Sequence, residues 1–191
     1  MGYEYVNRRG ERYYLLVGKT KTGKPKYYVS RKAQGVPADA MPEGYEIFEQ
    51  PEHGIVSVRK VLPTRIRPKE REQLHGWTRD LAGIEHFIID LHGDSLVIYT
   101  PDRDPVASAD LLNRIFGGFP DDAVSIAARV HYTAMLRFTL EDAEKRFFRV
   151  ERWCFRGSID DWFFLASGKP LEALARKYLP HLNRESFFEL M

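Results

Sequence analysis

The chain has 191 residues, 43% of them hydrophobic and 13% aromatic, which excludes a disordered chain and suffices for a buried core. A single cysteine, Cys154, excludes an intrachain disulfide and a four-cysteine zinc site and points to a reducing, cytoplasmic setting. The net charge is only +2 but is unevenly laid out: through Lys32, nine basic residues stand against two acids, so everything after Lys32 sums to −5.

The opening MGYEYVNRRG lacks the apolar run of a secretory leader, and no stretch of about 18 apolar residues occurs, so a soluble chain that does not enter membranes is expected. Gly2 does not signal myristoylation, because Val6 stands where that pattern needs Ser or Thr. Residues 1–62 are expected to form an all-β module, a meander or small open barrel. Tyr3 to Val6, Tyr13 to Val17, Tyr27 to Arg31, Tyr45 to Glu49 and Ile55 to Val61 are each short, rich in β-branched and aromatic residues, and bounded by Gly, Pro or Asn. Ala33 to Gly44, with Pro37, Pro42, Gly35 and Gly44, is expected to be a loop. Gly18 to Lys24 carries the G-x-x-x-x-G-K half of a phosphate loop. Pro25 stands where that loop needs a hydroxyl, and Lys26 to Ser30 reads as a strand where it needs a helix, so no nucleotide cofactor follows.

Residues 63–68, basic and bracketed by two prolines, are expected to link this module to a second, α+β module over 69–191. Leu74, Trp77 and Leu81 recur at helical spacing between Lys69 and Ala82, with Gly83 placed to end the helix. Ile84 to Thr100 reads as a hairpin around Gly93-Asp94, and alternation puts Phe87, Ile89, Leu91, Leu96 and Ile98 on one apolar face. Asp104 and Pro105 can open a short helix carrying Leu111, Leu112, Ile115 and Phe116 and stopped by Gly117. From Val124 to Leu140 the apolar residues fall on even positions, which predicts one long strand, followed by Phe147 to Phe155, a turn at Gly157 to Asp160, and Asp161 to Ala166. A helix from Pro170 to Leu179 should bury Leu171, Leu174, Ala175 and Tyr178. The expected fold class is therefore α+β, with an antiparallel sheet in the second module.

The basic, Tyr-rich opening supplies the candidate binding residues. Arg8, Arg9, Arg12, Lys19, Lys21, Lys24, Lys26, Arg31 and Lys32 offer cations for phosphates, and Tyr14 and Tyr28 offer rings for stacking, the combination used by single-strand and RNA-binding sheets. The expected partner is nucleic acid, DNA or RNA. A bland account competes: lysines also protect sheet edges, and tyrosine favours strands. A second reading is a protein-interaction or assembly module without chemistry, forming a homo-oligomer through the apolar tail Phe187-Phe188-Glu189-Leu190-Met191. A third is a metal-dependent hydrolase or nuclease. Asp90 and His92 are about 6.6 Å apart along one strand face, with Asp94 in the turn, close enough to share an ion if further carboxylates arrive from elsewhere. No catalytic residue, metal-ligand set or cofactor motif is complete in the sequence.

Overall fold

The computed structural model describes residues 2–116, 122–156 and 159–190. In chain order the elements are β1 (Glu4–Val6), β2 (Arg12–Lys19), β3 (Pro25–Ser30), β4 (Val36–Pro37), β5 (Tyr45–Glu49), β6 (Val56–Lys60) and α1 (Pro68–Ala82). There follow β7 (Ile88–His92), β8 (Ser95–Pro101), α2 (Pro105–Phe116), α3 (Ala123–Arg129), β9 (Tyr132–Asp142), β10 (Phe147–Arg156), β11 (Ile159–Pro170) and α4 (Leu171–Tyr178). The fold is α+β with antiparallel sheets and no closed barrel. The chain forms two compact units, one made of Met1–Leu62 and Arg103–His131, the other of Pro63–Asp102 and Tyr132–Met191.

In the first unit β1, β2 and β3 make a meander, and β5 and β6 form a separate hairpin. Within the expected loop Ala33 to Gly44, the two residues of β4 pair with β2, Leu16 opposite Pro37 and Val17 opposite Val36. The β1–β2 turn is fixed by Asn7, a buried polar side chain. Its Oδ1 accepts the N–H groups of Arg9 (3.1 Å) and Glu11 (2.8 Å), and its Nδ2 donates to the Gly54 carbonyl (2.9 Å).

One expectation is corrected here. The predicted strand from Val124 begins instead as the helix α3 and becomes extended only at β9. The Asp122 carboxylate accepts the Ser125 N–H at 2.8 Å, and three alanines in AVSIAAR favour helix, so a capped, Ala-rich start outweighs the alternation. From Tyr132 onward the alternation holds, with Tyr132, Leu136, Phe138 and Leu140 buried. A register shift between Ile98 and Tyr99 admits an extra residue in β9, and Met135 is buried as well. Helix α2 opens as the sequence predicts, Asp104 Oδ1 accepting the Val106 N–H at 2.9 Å. Yet Leu111 and Ile115 are 57% and 61% exposed. The expected stop at Gly117, and Gly157 and Ser158 of the expected turn, lie outside the described residues.

The second unit is a five-stranded sheet in the order β11-β10-β9-β8-β7. Gly93, at φ 57°, makes the two-residue turn that sets Ile89 opposite Ile98 and Leu91 opposite Leu96, the predicted face. That face packs with Leu136, Phe138, Phe148 and Val150 against Leu74 of α1 and Leu171, Leu174, Ala175 and Tyr178 of α4. Helix α1 starts with Pro68 and with Glu70 accepting the Arg67 N–H at 2.8 Å; it stops at Gly83, φ 67°, whose N–H reaches the Arg79 carbonyl. The tail folds back onto its own unit: Phe187 is fully buried and the Leu190 carbonyl accepts from Arg152 Nε at 2.8 Å. Phe188 stays 56% exposed.

Candidate nucleic-acid interface

The β2–β3 ribbon carries most of the candidate residues. Its turn is closed by Thr20 N–H to the Lys24 carbonyl (2.8 Å), Lys24 N–H to Thr20 Oγ1 (3.0 Å) and Gly23 N–H to the Thr20 carbonyl (2.9 Å), with Gly23 at φ 80°. Pro25 opens β3 directly, so no helix follows the glycine-lysine pair and no phosphate loop exists at this position.

Period-2 geometry splits this sheet as the sequence implies. Tyr13 and Leu15 turn inward at 5% and 1% exposure, and Tyr27 on the same face meets Tyr45 with ring centroids 5.6 Å apart. On the other face the register sets Leu16 opposite Tyr28 and Gly18 opposite Lys26. The missing side chain at Gly18 makes room for a ring: a Cβ there would meet Tyr28 Cε1 at 3.3 Å. The segment at Gly35 crosses the same face, a Cβ there meeting Tyr28 Oη at 3.2 Å and Leu16 Cδ1 at 3.3 Å. Leu16 is therefore buried on a face that alternation alone leaves open. A cleft of about 250 Å³ remains beside it, lined in part by Tyr14, Glu4 and Pro37.

The nine cations separate by residue type. Each of the four arginines has a partner. Arg8 pairs with Glu49 at 3.0 Å and donates to the Gln50 and Pro51 carbonyls. Arg9 lies over Gly54 and donates to the Arg129 carbonyl at 3.4 Å. Arg12 pairs with Glu4 and Arg31 with Glu11, each at 2.9 Å. Lys19, Lys21, Lys24, Lys26 and Lys32 are all exposed. None of their ammonium groups has a carboxylate partner among the described residues. Tyr28 is 38% exposed beside them and Tyr14 is half-buried.

Two pKa shifts belong to the same unit. The Glu11 carboxyl is held below its ordinary value, chiefly by the Asn7 amide that donates to it and also by Tyr13 and Arg31. The Tyr5 hydroxyl is pushed up to about 12 by burial and by its hydrogen bond to the Glu49 carboxylate.

The Asp90, His92 and Asp94 cluster does not assemble into a ligand set. Both Asp94 oxygens are engaged by Arg65, which donates its backbone N–H at 2.7 Å and its Nε at 2.8 Å. Those bonds hold the Asp94 carboxyl below its usual value. Among the described residues no group of three or more His, Cys, Asp or Glu side chains is placed to hold a metal ion. Among them, too, no helix is long and apolar enough to cross a membrane.

Sequence reasoning missed the division between arginines and lysines. Its signal was the spacing of Glu4, Glu11 and Glu49, acids on or beside the strands that carry the arginines. It also missed Gly18 and Gly35, whose lack of a side chain shapes the tyrosine face. Compared with protein-family models, with curated proteins and with solved structures, the chain matches none.

Proposed function

We propose that the first unit is a nucleic-acid-contacting module that grips phosphates through the β2–β3 ribbon. One observation carries this reading: the ribbon's lysines are exposed and lack carboxylate partners among the described residues, whereas Arg8, Arg12 and Arg31 each have one. Lys19, Lys21, Lys24 and Lys26 lie in or beside one turn, with Tyr28 in β3 and Lys32 two residues past its end. Exposed cations around one turn are suited to a polyanion. The narrower set, four or five lysines in place of nine cations, also sets the expected salt response. If four phosphates are neutralised, affinity falls on the order of a hundredfold between roughly 50 and 200 mM salt.

Fluorescence anisotropy with labelled single-stranded DNA, duplex DNA and RNA tests the reading, and absence of binding to all three at low salt ends it. Tyr28→Ala distinguishes the modes: a stacking platform loses about 1–3 kcal/mol on single strands, whereas a ribbon seated in a duplex groove loses almost none. The lone, buried Cys154 supports a cytoplasmic setting for this activity.

The assembly reading is supported by a different observation, the exposed Leu111 and Ile115 of α2. In that reading a homo-oligomer uses α2 rather than the tail, whose Phe187 is spent on its own core. Light scattering separates the two surfaces, since Leu111→Ser with Ile115→Ser lowers the mass only if α2 is the contact.

A further inference from the structure

A cavity of about 780 Å³ opens in the second unit between the first turns of α1 and the edge strand β7. Its floor is apolar: Ile66 and Ile89, 6% and 7% exposed, with Phe87, Ile88 and Leu91. Its rim is not. Arg67 caps the N-terminus of α1 and Arg71 follows one turn later, and Arg71 Nη2 donates to the Ile89 carbonyl at 3.3 Å, which ties that guanidinium to β7 beside the cavity.

Several other arginines of this unit are neutralised. Arg65, Arg137, Arg146 and Arg149 each hold a carboxylate, from Asp94, Glu151, Glu70 and Glu141 respectively. Arg67 and Arg71 have no carboxylate partner among the described residues, although Glu72 lines the same cavity. The lining holds two guanidiniums, one carboxylate and the His75 imidazole, so with the histidine counted as neutral it is net positive by a single charge. That balance fits one negative charge on a ligand and disfavours a multiply charged phosphate. An apolar hollow of this size with a few convergent polar groups at its mouth has the make-up of a small-molecule site, and a carboxylate matches the planar fork of an arginine.

We infer that this cavity binds an amphipathic monocarboxylate, its apolar body against Ile66, Phe87, Ile89 and Leu91 and its carboxylate on Arg71 and Arg67. The inference stands apart from the polyanion reading, which concerns the other unit. The probes are decanoate and decanol, which share an apolar body and differ in the charged head, titrated below micelle formation into the full chain carrying labelled isoleucine methyls. Decanoate shifts the Ile66, Ile88 and Ile89 methyls saturably, and decanol binds at least about tenfold more weakly. Arg67→Gln with Arg71→Gln removes the preference for decanoate. Because Arg71 also ties α1 to β7, Arg67→Gln alone serves as the second variant and reduces that preference severalfold. Equal affinity for the two probes in the native protein, or a decanoate titration that leaves those methyls unmoved, overturns the inference.

Discussion

The second unit seals Leu96, Ile98, Leu136, Phe138 and Phe148 from solvent between its sheet and two helices. The first unit is instead tied at a carboxylate. Glu49 accepts from the Tyr5 hydroxyl at 2.9 Å, from the Arg8 backbone N–H at 3.2 Å and from the Arg8 guanidinium at 3.0 Å, joining the β1–β2 turn to β5. Apolar burial is non-directional and indifferent to titration. A hydrogen-bonded charge knot is directional and responds to pH. The small sheet of the first unit buries Tyr13, Leu15 and Leu16 but far fewer large apolar side chains than the second unit, so polar ties carry more of its order.

The largest expected effect breaks the apolar side of that contrast. Phe138→Ala, at a fully buried site, should cost about 3–5 kcal/mol, read as a lowered urea midpoint with lost hydrogen-exchange protection in β8 to β10. A cost under about 1 kcal/mol would mean this core is loosely packed. Next comes the knot. Arg8→Met keeps the aliphatic stem and leaves Glu49, whose side chain is 13% exposed, without its cation. It should cost about 2 kcal/mol. The loss should appear in the protection of β1, β2 and β5 while that of β8 to β10 is unchanged.

The same contrast marks what the sequence made legible. The second unit was readable because its pattern is long: the hairpin face of Ile89, Leu91, Leu96 and Ile98 and the α4 set of Leu171, Leu174, Ala175 and Tyr178 each repeat at one period and meet one core. The first unit's strands were readable, β5 to the residue, but the bonds that join them were not. Nothing local to Glu49 or Gly54 indicates Arg8 or Asn7, more than 40 positions away, as a partner. The misread start of the 124–140 segment has a local cause, since small residues such as Ala fit either period and the Asp122 cap decides for helix. At the candidate site the positive charge was legible and its availability was not. Availability depends on which acids the packing of β1, β2 and β5 brings beside each arginine.

The knot should also show in the pH response. Tyr5 ionises near 12 in the fold against an ordinary 10.0, so its neutral form is favoured by folding. Its contribution is complete below pH 10 and is lost as pH rises toward 12. In Tyr5→Phe that alkaline loss should shrink in the protection of β1 and β5, and an unchanged alkaline limb would remove Tyr5 from the knot. The acid limb is smaller and divides between the units. Glu11 and Asp94 are both held below their ordinary values of 4.5 and 3.8, the first chiefly by Asn7 and the second by Arg65. Each contributes stability above its ordinary value that is lost as pH falls through the depressed one. Glu11→Gln should flatten the acid loss in the first unit only, and Asp94→Asn in the second only, measured by hydrogen exchange between pH 5 and 3.

The smallest expected effect on stability is at the ribbon itself. Lys19, Lys21, Lys24 and Lys26 make no side-chain bond among the described residues, so changing each to Gln should move stability by no more than about 0.5 kcal/mol. Binding should respond differently, each change lowering the steepness of log affinity against log salt by about one. Arg8 should show the reverse, because Arg8→Met acts on the fold before it can act on a ligand. If the lysine changes lower stability as much as binding, the ribbon's charge belongs to the fold as the arginines do. If they lower neither, the exposed ammonium groups are a solvated edge, and the separation of lysines from arginines has no consequence for binding.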